Sequence, residues 1–383
     1  MRVYFDNNAT APLRPEARTA MLAALDAVGN ASSVHHEGRS ARTIVEAARG
    51  HVAKLCGADS DNVIFTSGGT EANSLALHGA IQAAAEAGSR FTRLIVSAIE
   101  HVSVLATATR CEQLYPGLKI ATCPVTPDGQ LDVDQLAGLL MQGKGRALVS
   151  VMAVNNETGV IQPIEKAAEL VHSHSGLLHC DAVQAVGRIP ASIGGLGADF
   201  LTLSSHKLGG PQGAGALVKS PQAALVAQLK GGLQEFGYRA GTQNVAAVAG
   251  FGSAVAVASP ADFSRTPRLA FEQHLKELCP DAIIAGARAP RVANTVCIAV
   301  PGVPAETLVI ALDLDGFAVS AGSACSSGKV SKSHVLAAMG FEPALAACAI
   351  RISFGWDSKE RDLKDFAQAW ARIARRTRAR SAA

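Results

Sequence analysis

The sequence predicts an α/β protein built on a mostly parallel β-sheet with helices on both faces. Five apolar runs have the length and composition of strands, and helix-compatible stretches separate several of them. Strands that alternate with helices form βαβ crossovers, in which the strands run parallel and are buried from both sides. Functional residues in such sheets lie at the carboxyl ends of the strands. The predicted strands are residues 63–66, 94–97, 147–154, 177–180 and 200–204.

Composition limits the classes to which this protein can belong. Its 383 residues are enough for two or three domains with a sizeable core. Charged residues make up 17% of the chain, against about 25% in a typical globular protein, which favours extensive burial, as in an oligomer. A net charge of +3 without a basic stripe does not indicate nucleic-acid binding. The chain starts without the features of a signal peptide and has no apolar stretch of about 18 residues, so we expect a cytoplasmic protein without a membrane partner.

One lysine lies between a strand-like run and a glycine-rich turn. Residues 200–205 alternate apolar and hydroxyl side chains, and the sequence GGPQGAG at 209–215 can continue neither a helix nor a strand. Lys207 is therefore predicted at a strand end. There its amine can be partly desolvated, as a lysine that forms a Schiff base requires. A solvated turn lysine is the alternative.

A glycine turn and a histidine follow the first two predicted strands. Gly68, Gly69 and Thr70 lead directly into a predicted helix over residues 71–87. The unpaired N–H groups and the dipole of a helix start can hold a phosphate, although an ordinary helix cap has the same sequence. His101 comes just after the second strand, where its flat ring could stack on a ligand or serve a structural purpose.

Amide and carboxylate side chains follow the next two strands. Asn155 and Asn156 follow the third apolar run, and Asp181 and Gln184 follow the fourth. A buried carboxylate needs a positive partner, and a protonated pyridine nitrogen would be one. The lysine, the carboxylate, the phosphate-binding turn and the flat ring together match the needs of pyridoxal phosphate, which we predict as the cofactor.

The eight cysteines contain no CxxC pair and no regular spacing, so the sequence indicates neither a zinc site nor a disulfide framework. Those in apolar runs are predicted in the core: Cys56, Cys180, Cys297 and Cys348. Cys325 differs, because it lies in the polar, small-residue segment 320–328. Its thiolate could be favoured by nearby cations, namely Lys329, Lys332 and His334. The alternative is an idle thiol on a loop.

With these motifs the chain resembles the cysteine desulfurases of the class V aminotransferase family, which are pyridoxal-phosphate enzymes. The resemblance runs in one colinear order from FDNNAT near the start to RISFG near the end. The motifs between them are SGGTEAN, EHVS, VNNETG, DAVQ, SSHK, RAGTQN and SAGSACSSG. The resemblance implies the type I fold of pyridoxal-phosphate enzymes. It divides the chain into a large domain, 13–258, and a smaller α+β domain, 1–12 with 259–383, which carries the cysteine loop at about 320–332.

The same resemblance implies how the cofactor is held. Lys207 would form the Schiff base and would later act as the base at the substrate's α-carbon. Asp181 would keep the pyridine nitrogen protonated, and His101 would stack on the ring and move protons. Gln184 and Asn156 would bond the phenolic oxygen. The phosphate would be bound by Gly69, Thr70, Ser204, His206 and, from a second subunit, Thr242.

The implied reaction converts L-cysteine to L-alanine. Arg351, together with Asn156, would bind the substrate; a solvent-facing arginine is the alternative. Cys325 would attack the substrate's sulfur and keep it as a persulfide for iron–sulfur cluster assembly or another acceptor protein. The role of Thr242 implies a homodimer, and no metal is expected.

Two other functions stay open at this point. The first is a selenocysteine lyase or a related class V lyase or aminotransferase, although an aminotransferase has no need of the thiol of Cys325. The second is a non-enzymatic relative, which would have lost Lys207, Asp181 or Cys325. All three residues are present.

Overall fold

The computed structural model describes residues 2–263, 268–321 and 332–381, with side chains up to residue 379. The strands are β1 (Val3–Tyr4), β2 (Val63–Thr66), β3 (Phe91–Ser97), β4 (Lys119–Cys123), β5 (Arg146–Ser150), β6 (Leu177–Asp181), β7 (Phe200–Ser204), β8 (Gly215–Lys219), β9 (Ile283–Ile284), β10 (Thr295–Ala299), β11 (Phe317–Ala318), β12 (Ser320–Ala321) and β13 (Ala349–Ser353). The helices are α1 (Pro15–Asp26), α2 (His36–Cys56), α3 (Gly69–Glu86), α4 (Val102–Leu114), α5 (Val133–Gln142), α6 (Ile164–Ser173), α7 (Ile193–Leu196), α8 (Val245–Val257), α9 (Arg268–Leu278), α10 (Ala305–Leu314), α11 (His334–Ala338), α12 (Pro343–Ala346) and α13 (Glu360–Ser381).

The main sheet has the strand order β2-β8-β7-β6-β5-β3-β4. Its neighbours from β7 to β4 are parallel, whereas β8 is antiparallel to both β7 and β2. A mostly parallel sheet is therefore confirmed, and all five predicted strands are present. The third is shorter than predicted, since β5 ends at Ser150, but Val151 and Ala153 still donate backbone hydrogen bonds to β6.

Two strands of this sheet were missed by the sequence analysis. β8 is antiparallel because the glycine-rich turn 209–215 leads straight back from β7, with no crossover helix between them. β4 lies at the edge of the sheet, and its sequence KIATC is too polar and too exposed to give a clear apolar run.

Helices cover both faces of the main sheet, as predicted. Leu77 of α3 and Val104 of α4 belong to the hydrophobic cluster on one face, and Val52 of α2 and Phe251 of α8 belong to the cluster on the other. Successive residues of β3 alternate between the two clusters, since side chains of a strand point to opposite faces in turn. A sheet buried on both sides exposes functional side chains only at its edges and strand ends.

A second sheet follows residue 258, with the antiparallel order β12-β13-β10-β9. Phe366 and Trp370 of α13 are fully buried against it, and Phe366 makes an edge-to-face contact with Phe5 from the amino-terminal segment. The predicted division of the chain into two domains stays a prediction.

The amino-terminal segment connects the two sheets. Ser353 N in β13 donates to Phe5 O at 2.8 Å, and Ala11 N donates to His206 O, also at 2.8 Å. The residues between them, 6–10, therefore run from the second sheet to the turn that holds Lys207. This path brings residues from the two ends of the sequence into one site.

Two features are absent from the part of the chain that the structure describes, a membrane-spanning helix and a metal-binding cluster. There, no single helix is both long and apolar enough to cross a membrane. The same residues contain no group of three or more histidine, cysteine or acidic side chains that could hold a metal ion. The described cysteines are free and buried, which confirms the core positions predicted for Cys56, Cys180, Cys297 and Cys348. Cys325 lies outside the described residues.

Candidate active site

A cavity of about 410 Å³ opens at the carboxyl ends of the main-sheet strands. This volume is within the range of small-molecule and cofactor sites, roughly 300–1,000 Å³. It is lined by the predicted site residues Gly69, Thr70, His101, Asn156, Asp181, Gln184, Ser204, His206, Lys207 and Arg351. The strands β2, β3, β5, β6 and β7 run in the same direction, so their carboxyl ends bring these residues to one edge of the sheet, except Arg351, which comes from β13 of the second sheet.

Lys207 ends a 3₁₀ turn, Ser205–Lys207, that follows β7 directly. Its Nζ donates to the carbonyl oxygens of Asn8 at 2.6 Å and Ala9 at 2.7 Å. Gly209, two residues later, has φ +85°, which favours glycine, and a Cβ there would lie 2.6 Å from Cγ of Arg14. The turn therefore directs the partly buried lysine to the cavity, which favours the predicted role over that of a solvated turn lysine.

Asp181 ends β6 and is buried. Its Oδ2 accepts from Asn73 Nδ2 at 2.8 Å, and its Oδ1 accepts from Val183 N at 3.0 Å. Both hydrogen bonds fix the direction of the carboxylate at the cavity wall. Asn73 was missed by the sequence analysis, although it belongs to the SGGTEAN motif and lies one helical turn after Gly69.

A second buried carboxyl, that of Glu100, lies near Asp181. Burial, and then the charge of Asp181, raises the pKa of Glu100 well above its usual value, while a hydrogen bond from Met152 N opposes the shift. This shift favours the uncharged form of Glu100, which lessens the negative charge near Asp181. Asp181 itself lines the cavity, where its carboxylate can meet a cationic group.

His101 is the N-cap of α4, and its Nδ1 accepts from Ser103 N at 3.2 Å. Burial lowers the pKa of His101, and Lys207 and His334 lower it further, while Asp181 opposes them. The imidazole is therefore neutral at neutral pH. Because Nδ1 accepts a backbone N–H, the ring proton lies on Nε2. This ring can both stack on a flat ligand and donate or receive a proton.

The start of α3 at the cavity is suited to a phosphate. The first N–H groups of a helix have no intrahelical partner, and at Gly69, where α3 begins, no side chain caps them. A Cβ on Gly69 would lie 3.0 Å from Cγ2 of Val183 and 3.4 Å from Cβ of Ser204, so the close approach to β7 favours glycine. Burial, together with the charge of Lys207, lowers the pKa of His206 to about 4, so this side chain is neutral.

Gln184 and its neighbours form a buried polar cluster around Asn8. Gln184 Nε2 donates to Asn8 O at 3.0 Å, and its Oε1 accepts from Arg188. Burial and the charge of Arg351 lower the pKa of Arg188 to about 9, so it stays charged at neutral pH. Arg188 therefore determines which end of the Gln184 amide faces the cavity. Neither Asn8 nor Arg188 was predicted from the sequence to belong to the site.

Arg351 lies in the middle of β13 and is buried, so the alternative of a solvent-facing arginine is wrong. Its Nη1 donates to Asn156 O at 3.1 Å, and its Nη2 donates to Asp6 Oδ1 at 2.6 Å. Asn156 O also accepts from Asn8 Nδ2 at 3.1 Å. The guanidinium thus lines the same cavity as Lys207, where it can receive a carboxylate.

Two predicted site residues are not part of this cavity as described. Thr242 is exposed on an irregular segment before α8 and does not line it. Cys325 lies outside the described residues, so its position relative to the cavity stays a prediction.

The residues present fit pyridoxal phosphate. The oriented, buried carboxylate of Asp181 suits the pyridine nitrogen, and the uncapped helix N–H groups at the start of α3 suit the phosphate. Lys207, in the turn that follows β7, would supply the covalent link; β7 is the neighbour of β6, which ends with Asp181. Asp181, Gly69 and Lys207 would thus hold the group.

A buried carboxyl beside the cavity links stability to pH. Ser333 Oγ donates to Glu157 Oε2 at 2.5 Å. Burial raises the pKa of Glu157 from 4.5 to about 7, with the Ser333 hydrogen bond and the charge of Arg351 opposing. The folded protein therefore binds this proton more tightly than the unfolded chain. This contribution to stability is present below about pH 4.5 and is lost as the pH rises through 7.

Glu157→Gln, which imitates the protonated carboxyl, is expected to raise the thermal midpoint above that of the wild type at pH 8 and to change it little at pH 5. The pKa shift corresponds to at most about 3 kcal/mol. Thermal unfolding of both proteins from pH 5 to 8 measures this, with Glu277→Gln as a control because Glu277 is largely exposed. A midpoint lowered equally at both pH values would contradict the argument.

The chain is similar to known proteins in both sequence and structure. The sequence model of class V aminotransferases matches residues 3–366. A cysteine desulfurase of Cereibacter sphaeroides is 41% identical, over 92% of this chain and 90% of its own. The solved structure of a NifS-like protein from Rickettsia africae has a TM-score of 0.83 and 32% identity, covering 97% of this chain and 99% of that one. A structure described as SspA in complex with cysteine has a TM-score of 0.79 and 27% identity, covering 92% and 99%.

The fold and the site define an enzyme that depends on pyridoxal phosphate. More particularly, the chain belongs to the class V aminotransferase family, and the proteins similar to it include cysteine desulfurases.

Proposed function

We propose that this protein is a cysteine desulfurase, which converts L-cysteine to L-alanine and transfers the sulfur to Cys325. The observation that carries the proposal is that Lys207, Asp181 and Arg351 line one cavity. These groups suit the two ends of an amino acid. A cofactor bound to Lys207 would react with the amino group, and the guanidinium of Arg351 would bind the carboxylate. The names of the related proteins support cysteine as the amino acid.

Three side chains of the cavity have defined roles in this reaction. Arg351 binds and orients the substrate carboxylate, and the amine of Lys207 takes the proton from the α-carbon. His101, with its proton on Nε2, would stack on the bound cofactor and can donate or receive a proton at the site. Bound pyridoxal phosphate supplies the electron sink for the negative charge at that carbon.

Sulfur transfer requires a nucleophile, which is the proposed task of Cys325. Its thiolate attacks the substrate's sulfur, so that an S–S bond forms and the substrate's C–S bond breaks. The electron pair of the broken bond stays with the substrate's β-carbon, which takes up a proton. The α-carbon takes back the proton that Lys207 removed, and the product leaves as L-alanine. The enzyme keeps a persulfide, which we expect to pass to a carrier or scaffold protein for iron–sulfur cluster assembly or another use, in the cytoplasm.

The active form is proposed to be a homodimer in which Thr242 contacts the phosphate bound in the other subunit. Thr242 is exposed and does not line the cavity of its own subunit. Several large apolar side chains on and near its segment are also exposed: Val28, Val34, Leu233 and Phe236. An exposed group of this kind is typical of a protein–protein contact.

Labelled L-cysteine distinguishes this function from that of an aminotransferase. With ¹⁵N-labelled L-cysteine, a reductant and no keto acid, we expect alanine that retains the label, because desulfuration leaves the amino group on its carbon. Mass spectrometry of the amino acids measures it, and the same assay with L-selenocysteine tests the lyase alternative. A product that has lost the nitrogen, or a need for a keto acid, would contradict the proposal.

A further inference from the structure

The carboxylate-binding arginine of the proposed site already has an anionic partner from the chain itself. Arg351 Nη2 donates to Asp6 Oδ1 at 2.6 Å, across 345 positions of sequence. We propose that Asp6 is an internal counter-ion that competes with the substrate carboxylate for Arg351 and so sets how tightly the site binds amino acids. This inference rests on the proposed role of Arg351 as the substrate's carboxylate partner.

The arginine is the fixed member of this pair. Arg351 lies opposite Cys297 of β10 and Ser320 of β12 in the sheet ladder, so strands on both sides hold its backbone. Its side chain is only 3% exposed, and Nη1 is held by Asn156 O. Because the guanidinium is enclosed, it must stay where it is when a ligand arrives.

One buried N–H group of the same guanidinium is unpaired among the described residues. Among the described residues, Nε of Arg351 has no hydrogen-bond partner. Nε and Nη2 form one edge of the planar guanidinium, which binds a carboxylate through two parallel hydrogen bonds. Asp6 uses the Nη2 half of that edge with one oxygen. A substrate carboxylate that takes both donors must therefore displace Asp6 from Nη2.

Asp6 is the member of the pair that can move. Its side chain is 20% exposed, so the carboxylate can turn toward water when it leaves the arginine. Its backbone is fixed independently of the ion pair, because Asp6 O accepts from Ala9 N at 3.0 Å and from Tyr4 Oη at 3.1 Å. Release of the side chain therefore does not require the turn to unfold.

The turn that carries Asp6 also faces the other cation of the site. The carbonyl oxygens of Asn8 and Ala9 accept from Lys207, only two and three residues after Asp6. One short segment thus contacts the groups proposed to bind the two ends of the amino acid. The two carbonyl groups are neutral, whereas Asp6 carries a negative charge. The substrate's carboxylate must replace this charge at Arg351.

Competition has a measurable consequence. An apparent affinity is reduced by the fraction of time in which the binding group is unavailable, so removal of the competitor tightens binding. In Asp6→Asn the side chain keeps its shape and can still accept a hydrogen bond, but it carries no charge. We expect its dissociation constant for a carboxylate to be about tenfold lower than that of the wild type.

Propionate is a suitable probe, because it has the carboxylate but lacks the amino group that would react with the cofactor. Isothermal titration of the cofactor-loaded enzyme with propionate measures the dissociation constant. The matched control is Asp313→Asn, which removes one charge from an exposed ion pair with Arg2. We expect tighter binding for Asp6→Asn, an unchanged constant for Asp313→Asn, and a larger rise of the thermal midpoint with propionate for Asp6→Asn than for the wild type.

The competing explanation is that Asp6 only orients the arginine. In that case Asp6→Asn binds propionate as weakly as the wild type or more weakly, and either result overturns the proposal. Asp6→Ser provides the same test should the asparagine variant fail to fold. Arg351→Gln tests the substrate role of Arg351 separately from the competing role of Asp6, since we expect this variant to lose propionate binding. Unchanged binding in Arg351→Gln would overturn the substrate role of Arg351, whereas desulfuration itself is judged by the labelled-cysteine assay.

Discussion

Lys207→Ala is expected to abolish the visible absorbance of the lysine-bound cofactor and to reduce alanine formation from L-cysteine by about four orders of magnitude or more. The loss should be large because one amine has two tasks, the covalent hold on the cofactor and the removal of the α-proton. The absorbance spectrum and the rate of alanine formation measure the two tasks separately.

The chain offers a matched control for this variant. Lys219 is buried, and its Nζ donates to the carbonyl oxygens of Ser220 at 3.3 Å and Ala223 at 3.1 Å, yet it does not line the cavity. Lys219→Ala removes a comparable set of hydrogen bonds and should leave the absorbance in place. A retained band in Lys207→Ala would contradict the assignment of this lysine.

Cys325→Ala is expected to keep the bound-cofactor absorbance but to lose sulfide release by a factor of about a hundred or more. The thiolate is needed only after the substrate has bound, so its removal should spare cofactor binding. Sulfide and alanine assays with L-cysteine and a reductant measure the loss.

A buried cysteine is the control for this second variant. Cys279 is enclosed and donates to Asp281 Oδ1 at 3.2 Å, so Cys279→Ala should change neither absorbance nor sulfide release. Equal activity of Cys325→Ala and the wild type would exclude the persulfide step.

The part of the site that the sequence predicted well is the set of residues at strand ends. Asp181 and Lys207 each follow a short apolar run directly, so their position depends on local pattern alone. Since those strands run parallel, the same pattern also predicts that their ends meet at one edge. This is why the cavity contains the predicted lysine, carboxylate, histidine and glycine turn.

The part that the sequence could not predict depends on contacts between its two ends. Asp6 meets Arg351, and Asn8 meets Gln184 and Lys207, only because the amino-terminal segment runs between the two sheets. Periodicity and turn signals describe neighbours along the chain and carry no information on such pairings. The missed strand β8 has a similar cause, since its direction depends on the hairpin partner β7.

The most direct test of this account is a visible spectrum of the purified protein before and after addition of L-cysteine, with alanine and sulfide assayed in the same tube in the presence of a reductant. The account predicts a band from the lysine-bound cofactor that changes with L-cysteine, and alanine and sulfide in equal amounts. A protein that binds the cofactor but yields neither product would contradict the proposed reaction. A protein that binds no cofactor would contradict the site itself.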